Sequence, residues 1–347
     1  MPCHPESSLR RLPLVTLLLS ERCNSRCITC DYWRHGRAEL DLESVRALLP
    51  SLERLETEVV LISGGEPLLN REWQEIAALL AGRGLKLWLL TSGLSLAKHA
   101  RRVSTLFDTV TVSLDGADRA TYAAIRGVDA FDVVCRGIRA AVEAGAAVTV
   151  RVTVQRSNFR QLPRFVDLGR ALGVDQVSFL AVDVANSHAF SRQEGFAADL
   201  ALRPEDLPEL ERLLLELECD HAEAFRTRLI AEGADKLRRT LLQYFTAVCG
   251  LGPYPPVRCN APEFSAVIDA RGGVSPCFFI GGPAQARVAG DLEEVLNSEA
   301  MVSLRHSIQC GERPECSRCV CSMWRDLGDP RQAPLFQPPI ARSASLR

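Results

Sequence analysis

The sequence has 347 residues, 47% of them apolar and 24% charged, the balance of a globular protein able to bury a sizeable core. A net charge of −2 removes the electrostatic case for nucleic acid or an anionic membrane as partner. The length allows two domains, or one large domain with an appendage. The departure from the ordinary is thirteen cysteines. Three of them, Cys23, Cys27 and Cys30, fall within eight residues, and seven lie between Cys249 and Cys321. Disulfide scaffolds are normally short chains, so clustered thiols in a long one predict a cytoplasmic metalloprotein.

Residues 10–20 imitate a signal peptide, with Arg10-Arg11 ahead of LPLVTLLLS. Ser20-Glu21-Arg22 is no small-residue cleavage site, and the run is too short to span a bilayer. It reads as a buried first strand. Five more apolar, β-branched runs follow at 59–63, 85–90, 109–114, 148–154 and 176–182. Most do not alternate, the pattern of strands buried on both faces. Helical patterns separate them at 42–55 behind an Asp41 cap, at 72–81 before Gly82, and at 96–105. Two more run over 133–144 and 162–172, ending at Gly145 and Gly173. Six βα units imply a parallel sheet, either doubly wound or a partial barrel; no eighth-strand closure is visible.

Residues 203–245 turn Leu-, Glu- and Arg-rich and read as two amphipathic helices. The chain then becomes loop-like and cysteine-rich, and ends in a Pro-containing tail expected to be disordered. The organisation expected is a core barrel at 1–190, a helical linker at 191–248, a cysteine-rich domain at 249–326 and the tail at 327–347.

Cys23-x3-Cys27-x2-Cys30 follows the first strand, at the end where parallel α/β folds build active sites. Three thiolates can hold a four-iron cluster and leave one iron open. They also suit zinc. Ser63-Gly64-Gly65-Glu66-Pro67 stands at the same end of the second strand. Its glycines permit close approach of a ligand, and Glu66 offers a carboxylate to an ammonium group.

Together the C-x3-C-x2-C loop and the GGEP turn resemble the radical S-adenosylmethionine (SAM) superfamily. The resemblance covers roughly residues 13–184 and implies a partial (βα)6 barrel. It implies that Cys23, Cys27 and Cys30 hold a [4Fe–4S] cluster whose open iron is chelated by SAM, with Gly64, Gly65, Glu66 and Pro67 at the cofactor's amino group. Thr91-Ser92-Gly93 after strand three, with Ser113 and Asp115 after strand four, would approach its methionyl or ribose part. One departure is Thr29, where the family often has an aromatic residue; Tyr32 or Trp33 would cover the adenine instead. The reaction implied is reductive cleavage of SAM to a 5′-deoxyadenosyl radical that takes hydrogen from a substrate, fed by a donor such as a flavodoxin or ferredoxin.

SAVIDARGGVSPC reads as a hairpin that turns at Arg271-Gly272-Gly273 and brings Cys259 near Cys277. A distant Cys316-x2-Cys319 can close a four-thiolate centre, which again suits zinc or iron–sulfur. This pattern resembles the SPASM or twitch extension of radical SAM enzymes. The likeness implies an auxiliary [4Fe–4S] cluster on Cys259, Cys277, Cys316 and Cys319, with Cys310 left over and Cys321 an alternative to Cys319. Seven thiols fall short of the eight that two fully ligated clusters need, so one auxiliary cluster is expected.

Cys3, Cys135 and Cys219 read as packed or tolerated thiols, and the six histidines as isolated. Arg151, Gln155, Asp183, Asn186 and His188 sit at the mouth of the expected barrel, with solvated loop positions as their default reading. The function expected is radical tailoring or dehydrogenation of a small molecule, or of a peptide delivered by another protein. The rival is a zinc-binding interaction protein with purely structural thiols.

Overall fold

A computed structural model describes residues 8–184, 186, 188–191, 199–288 and 290–326. Cys3 and the tail expected at 327–347 lie outside them. The β-branched runs form β1 (Leu14–Leu18), β2 (Val59–Ser63), β3 (Lys86–Thr91), β4 (Thr109–Ser113), β5 (Val148–Val154) and β6 (Gln176–Ala181). Each pairs in parallel with the next, in an open sheet that runs unbroken from β6 back to β1.

β1 is buried along its whole length and β2 and β6 bury consecutive residues, as strands covered on both faces do, whereas β4 and β5 alternate. Their valines (Val110, Val112, Val148, Val150, Val152 and Val154) are buried in the main core. Thr109, Thr111, Ser113, Thr149, Arg151 and Thr153 are only half-buried, on the opposite, concave face. A sheet covered by helices on one side and left partly open on the other dictates that alternation. The concave face is polar, unlike the packed interior of a closed barrel.

The helix Leu42–Arg54 starts at Asp41, whose carboxylate accepts the Ser44 N–H at 2.8 Å. Leu162–Leu172 ends on Gly173 at φ 71°. A helix absent from the sequence expectation, Arg119–Arg126, follows β4; it begins at Asp118 and ends on Gly127 at φ 68°. Of the two helices expected at 203–245, Leu207–Asp220 buries its leucine face, whereas the second is broken into short pieces with a π-helical turn at Arg238–Gln243. The backbone between these helices covers the edge of β6. Val177 N–H donates to Leu229 O at 2.6 Å, and Ala231 N–H to Val177 O at 2.9 Å.

The expected hairpin is β7 (Ser265–Ile268) and β8 (Val274–Ser275), antiparallel. Its attachment was not foreseen: β7 pairs in parallel with the free side of β1, extending one eight-stranded sheet. Farther on, Asp291 accepts from Ser51 Oγ at 2.8 Å and pairs with Arg54, fastening the C-terminal segment to the first long helix. Among the described residues no helix is long and apolar enough to cross a membrane.

Candidate functional site

The cysteine loop leaves the end of β1 and is pinned from two sides. From β2, Gly65 N–H donates to Ser20 O at 2.7 Å and Glu66 N–H to Arg22 O at 2.8 Å. A Cβ on Gly64 would sit 2.7 Å from Ser20 O, and one on Gly65 2.4 Å from Arg22 O, so only glycine lets the turn lie this close. From the other side, Arg26 and Ile28 donate to the carbonyls of Arg126 and Ile125, both at 2.9 Å. A helix end leaves carbonyls without partners. Here the amides flanking Cys27 satisfy two of them.

Gly127 makes that docking possible, because a Cβ there would lie 2.3 Å from Arg26 O. Gly127→Ala will cost more than the roughly 1–2 kcal/mol of a left-handed non-glycine residue. Gly84→Ala is the control, since Gly84 has φ +80° with nothing within 4 Å of its Cβ. Urea unfolding of both variants measures the difference; equal losses would mean that the docking is unimportant.

The three thiols lie close enough to affect one another's charge. Burial pushes Cys23 up to about 11 and Cys30 up to about 12, with their thiol neighbours adding to the rise. Burial also raises Cys27, against the opposing pull of Arg126. Backbone amides oppose the rise as well: Ser25 N–H reaches Cys23 Sγ at 3.4 Å and Tyr32 N–H reaches Cys30 Sγ at 3.5 Å. The set fits a thiolate-bound metal centre, which supplies the missing positive charge and displaces the protons. Among the described residues no three His, Cys, Asp or Glu side chains converge as a site for a single metal ion.

Three of the expected cofactor contacts, Glu66, Thr91 and Asp115, have protein partners. Glu66 is fully buried, and its carboxylate takes five contacts, from Leu68 N–H, the Thr91 hydroxyl and both the N–H and hydroxyl of Ser92, at 2.6–3.1 Å. It therefore braces β2 against β3. Thr91 is the brace's donor. No hydrogen bond among the described residues ends on the carbonyl of Gly64 or Gly65, which leaves these as acceptors in the turn. Asp115 is 1% exposed and forms an ion pair at 3.0 Å with Arg126, besides accepting Thr153 N–H at 2.7 Å. Arg126 was missed in the sequence, where it is one basic residue in a short helix.

Ser113 is half-buried on the concave face, level with Arg151 of β5. Pro67 opens the short helical turn that follows Glu66. Trp33 carries the guanidinium of Arg34 over its ring at 4.4 Å and that of Arg26 at 5.2 Å.

The second cysteine group also assembles. Cys259 lies within electrostatic reach of Cys277, Cys316, Cys319 and Cys321, so five thiols gather where four were expected. Burial pushes Cys277 up to about 12, and amides of Phe279 and Ile280 pull the other way. Cys321 N–H reaches Cys319 Sγ at 3.4 Å. Cys23, Cys30, Cys277 and Cys319 each thus take an N–H from the residue two places on, a turn that favours the thiolate. Cys310 is disulfide-bonded. Cys135 is packed in the core and Cys219 is exposed, as expected of bystander thiols.

An open parallel α/β half-barrel with one thiol loop at its carboxyl end and a second thiol group in its cap defines a metallocluster enzyme. Residues 17–169 match the model of the radical SAM superfamily, and residues 259–320 that of SPASM, an iron–sulfur cluster-binding domain. The chain belongs to the radical SAM superfamily, in the group that carries a SPASM domain. Its cofactors are SAM and iron–sulfur clusters.

The chain is similar to an Fe-coproporphyrin III synthase of Methanosarcina barkeri, 31% identical over 192 residues, 52% of this chain and 46% of that protein. It is similar to a probable GTP 3′,8-cyclase of Saccharolobus islandicus, 30% identical over 180 residues, 49% of this chain and 57% of that protein. The chain thus spans about half the length of these curated relatives. Its fold is similar to that of SuiB from Streptococcus suis with bound S-adenosylmethionine, at a TM-score of 0.64 and 16% identity, covering 90% of this chain and 73% of that one. The structure of anSMEcpe with bound AdoMet aligns at 0.62 and 17%, covering 88% of each chain.

Proposed function

We propose that this protein is a radical tailoring or dehydrogenating enzyme acting on a small molecule or peptide held against the concave face of the half-barrel. When bound, the cluster and SAM supply a 5′-deoxyadenosyl radical that removes a hydrogen atom from the substrate. Cys23, Cys27 and Cys30 would hold that cluster, and Cys259, Cys277, Cys316 and Cys319 an auxiliary one, with Cys321 an alternative to Cys319. The Gly64 and Gly65 carbonyls are the acceptors offered to the cofactor's amino group. Ser113 offers a hydroxyl from the concave face. The cap covers the sheet edge beside β1 and helps keep water from the reacting carbon. The electron would come from a carrier such as a flavodoxin or ferredoxin.

The observation that carries this reading is the pinning of one thiol loop between the Gly64-Gly65 turn and the end of the Arg119–Arg126 helix. Anaerobic reconstitution tests it. Expected are about eight irons and eight sulfides per chain for two four-iron clusters, and formation of 5′-deoxyadenosine when SAM and a reductant are added. Stoichiometric zinc without acid-labile sulfide would sink the proposal.

A further inference from the structure

Of the residues read in the sequence as solvated positions at the barrel mouth, Gln155, Asp183 and Asn186 are buried and Arg151 is half-buried. His188 is exposed, yet its ring lies against the cap, where a Cβ on Gly281 would come within 2.9 Å of it. Two residues on, Phe190 has φ 66° and ψ 11°. A bulky side chain in the left-handed region is a backbone outlier that surrounding contacts must hold in place.

Those contacts run in two directions. The Phe190 carbonyl accepts the N–H of Asp31, the residue after Cys30, at 2.9 Å. Its ring packs edge-to-face on Phe278, the residue after Cys277, with centroids 5.0 Å apart, and on the buried Phe279 at 6.4 Å. Phe190 thus touches both the end of the first cysteine loop and the turn that carries a thiol of the second group.

The same hairpin holds the beginning of that loop. At its turn, Asp269 accepts the N–H groups of Arg271 and Gly273, each at 2.8 Å. Arg271 in turn donates through Nε and one Nη to the two carboxylate oxygens of Glu21, at 2.5 and 3.0 Å. Glu21 stands two residues ahead of Cys23; its side chain is 13% exposed and also accepts Ala38 N–H at 3.0 Å. A forked pair of this kind fixes direction as well as distance.

β8 is only two residues long and leads straight to Pro276 and Cys277. So short a ladder is marginal by itself, and the shape of the hairpin then depends on what holds Cys277.

We infer that Arg271 and Phe190 are positioning residues that grip the first cysteine loop ahead of Cys23 and behind Cys30, and that ligation of Cys277 in the second group tightens the grip. The second group then acts on the first without sharing a ligand with it. The inference rests on the reading of both cysteine groups as metal centres, and deepens it by giving the second a regulatory task at the first.

Hydrogen exchange followed by mass spectrometry on the reconstituted protein reads the grip in the peptide 20–31. Arg271→Gln, at an exposed position that does not threaten folding, should speed exchange there about two- to fivefold, the scale of an accessible ion pair. Phe190→Ala should speed it about tenfold, and Phe190→Leu, which keeps apolar bulk, by less. The peptide 148–154 serves as the control and should not change. SAM binding, measured by equilibrium dialysis, should weaken severalfold in Arg271→Gln and Phe190→Ala, with Arg271→Lys intermediate. Replacing Cys259, Cys316 and Cys319 together by serine leaves Cys277 too few partners for a centre. That change should also speed exchange at 20–31, and should add nothing in the Arg271→Gln/Phe190→Ala background.

Exchange at 20–31 equal to the parent's in both Arg271→Gln and Phe190→Ala would overturn the inference. Faster exchange with SAM affinity untouched would leave the two residues structural and end their positioning role. Equal acceleration by the three serines in both backgrounds would show that the second group does not act through the hairpin. Exchange can be read whichever metal the thiols take up, so zinc without sulfide would remove the radical reading and still leave the grip to its own data.

Discussion

Cys30→Ala will abolish reductive formation of 5′-deoxyadenosine, while Cys277→Ala will retain part of it and lose turnover of substrate. The thiol of Cys30 is buried beside Cys23 and Cys27, the thiol neighbours that bear on it among the described residues. Two thiolates cannot keep a cluster whose fourth iron must already stay open. The second group is built differently. Five thiols gather there, Cys259 included, so loss of Cys277 leaves four, and Cys321 is placed to compensate. Iron analysis should therefore fall by about four atoms in Cys30→Ala and by fewer in Cys277→Ala. Because β7 belongs to the same sheet as β1, Cys277→Ala also needs a folding control; Cys277→Ser provides it by keeping size and polarity. Equal loss of 5′-deoxyadenosine in the Cys30 and Cys277 variants would contradict the division of labour.

The strands were legible because buried β-branched runs leave an unmistakable trace, and all six core strands stand where those runs put them. The hairpin was legible too, from Arg271-Gly272-Gly273. Its pairing with β1 was not, since nothing within a strand's own residues names the edge it will join. The Arg119–Arg126 helix escaped because RATYAAIR is only eight residues long and half polar. Glu66 was picked out in the sequence, but the partners that hold its carboxylate were not. Its partners Thr91 and Ser92 lie 25 and 26 residues on, brought to it only by the β2–β3 register. The solvated reading of Arg151 and Gln155 failed for a related reason: exposure at a strand end depends on what the cap covers.

Asp115→Asn will be among the most destabilising single changes in the core, and its cost will shrink when the clusters are loaded. Asp115 and Arg126 have side chains 1% and 10% exposed and pair at 3.0 Å. Removing one partner of a buried pair leaves an uncompensated charge and costs about 3–5 kcal/mol. The amide adds a further fault. If its oxygen keeps the Thr153 N–H, its NH2 must face the Arg126 guanidinium, donor against donor. Arg126, however, also faces Cys27, whose thiolate it favours. In metal-free protein Cys27 is a neutral thiol, because burial raises it, and cannot replace the lost carboxylate. In the reconstituted protein the proposed cluster would hold it as a thiolate, supplying part of the missing negative charge. Urea unfolding of metal-free and reconstituted protein should therefore show a larger penalty in the former, and Asp115→Asn/Arg126→Met should recover much of it there. An identical penalty in both states would mean that Arg126 is not coupled to the cluster loop, and its position beside Cys27 would be packing alone.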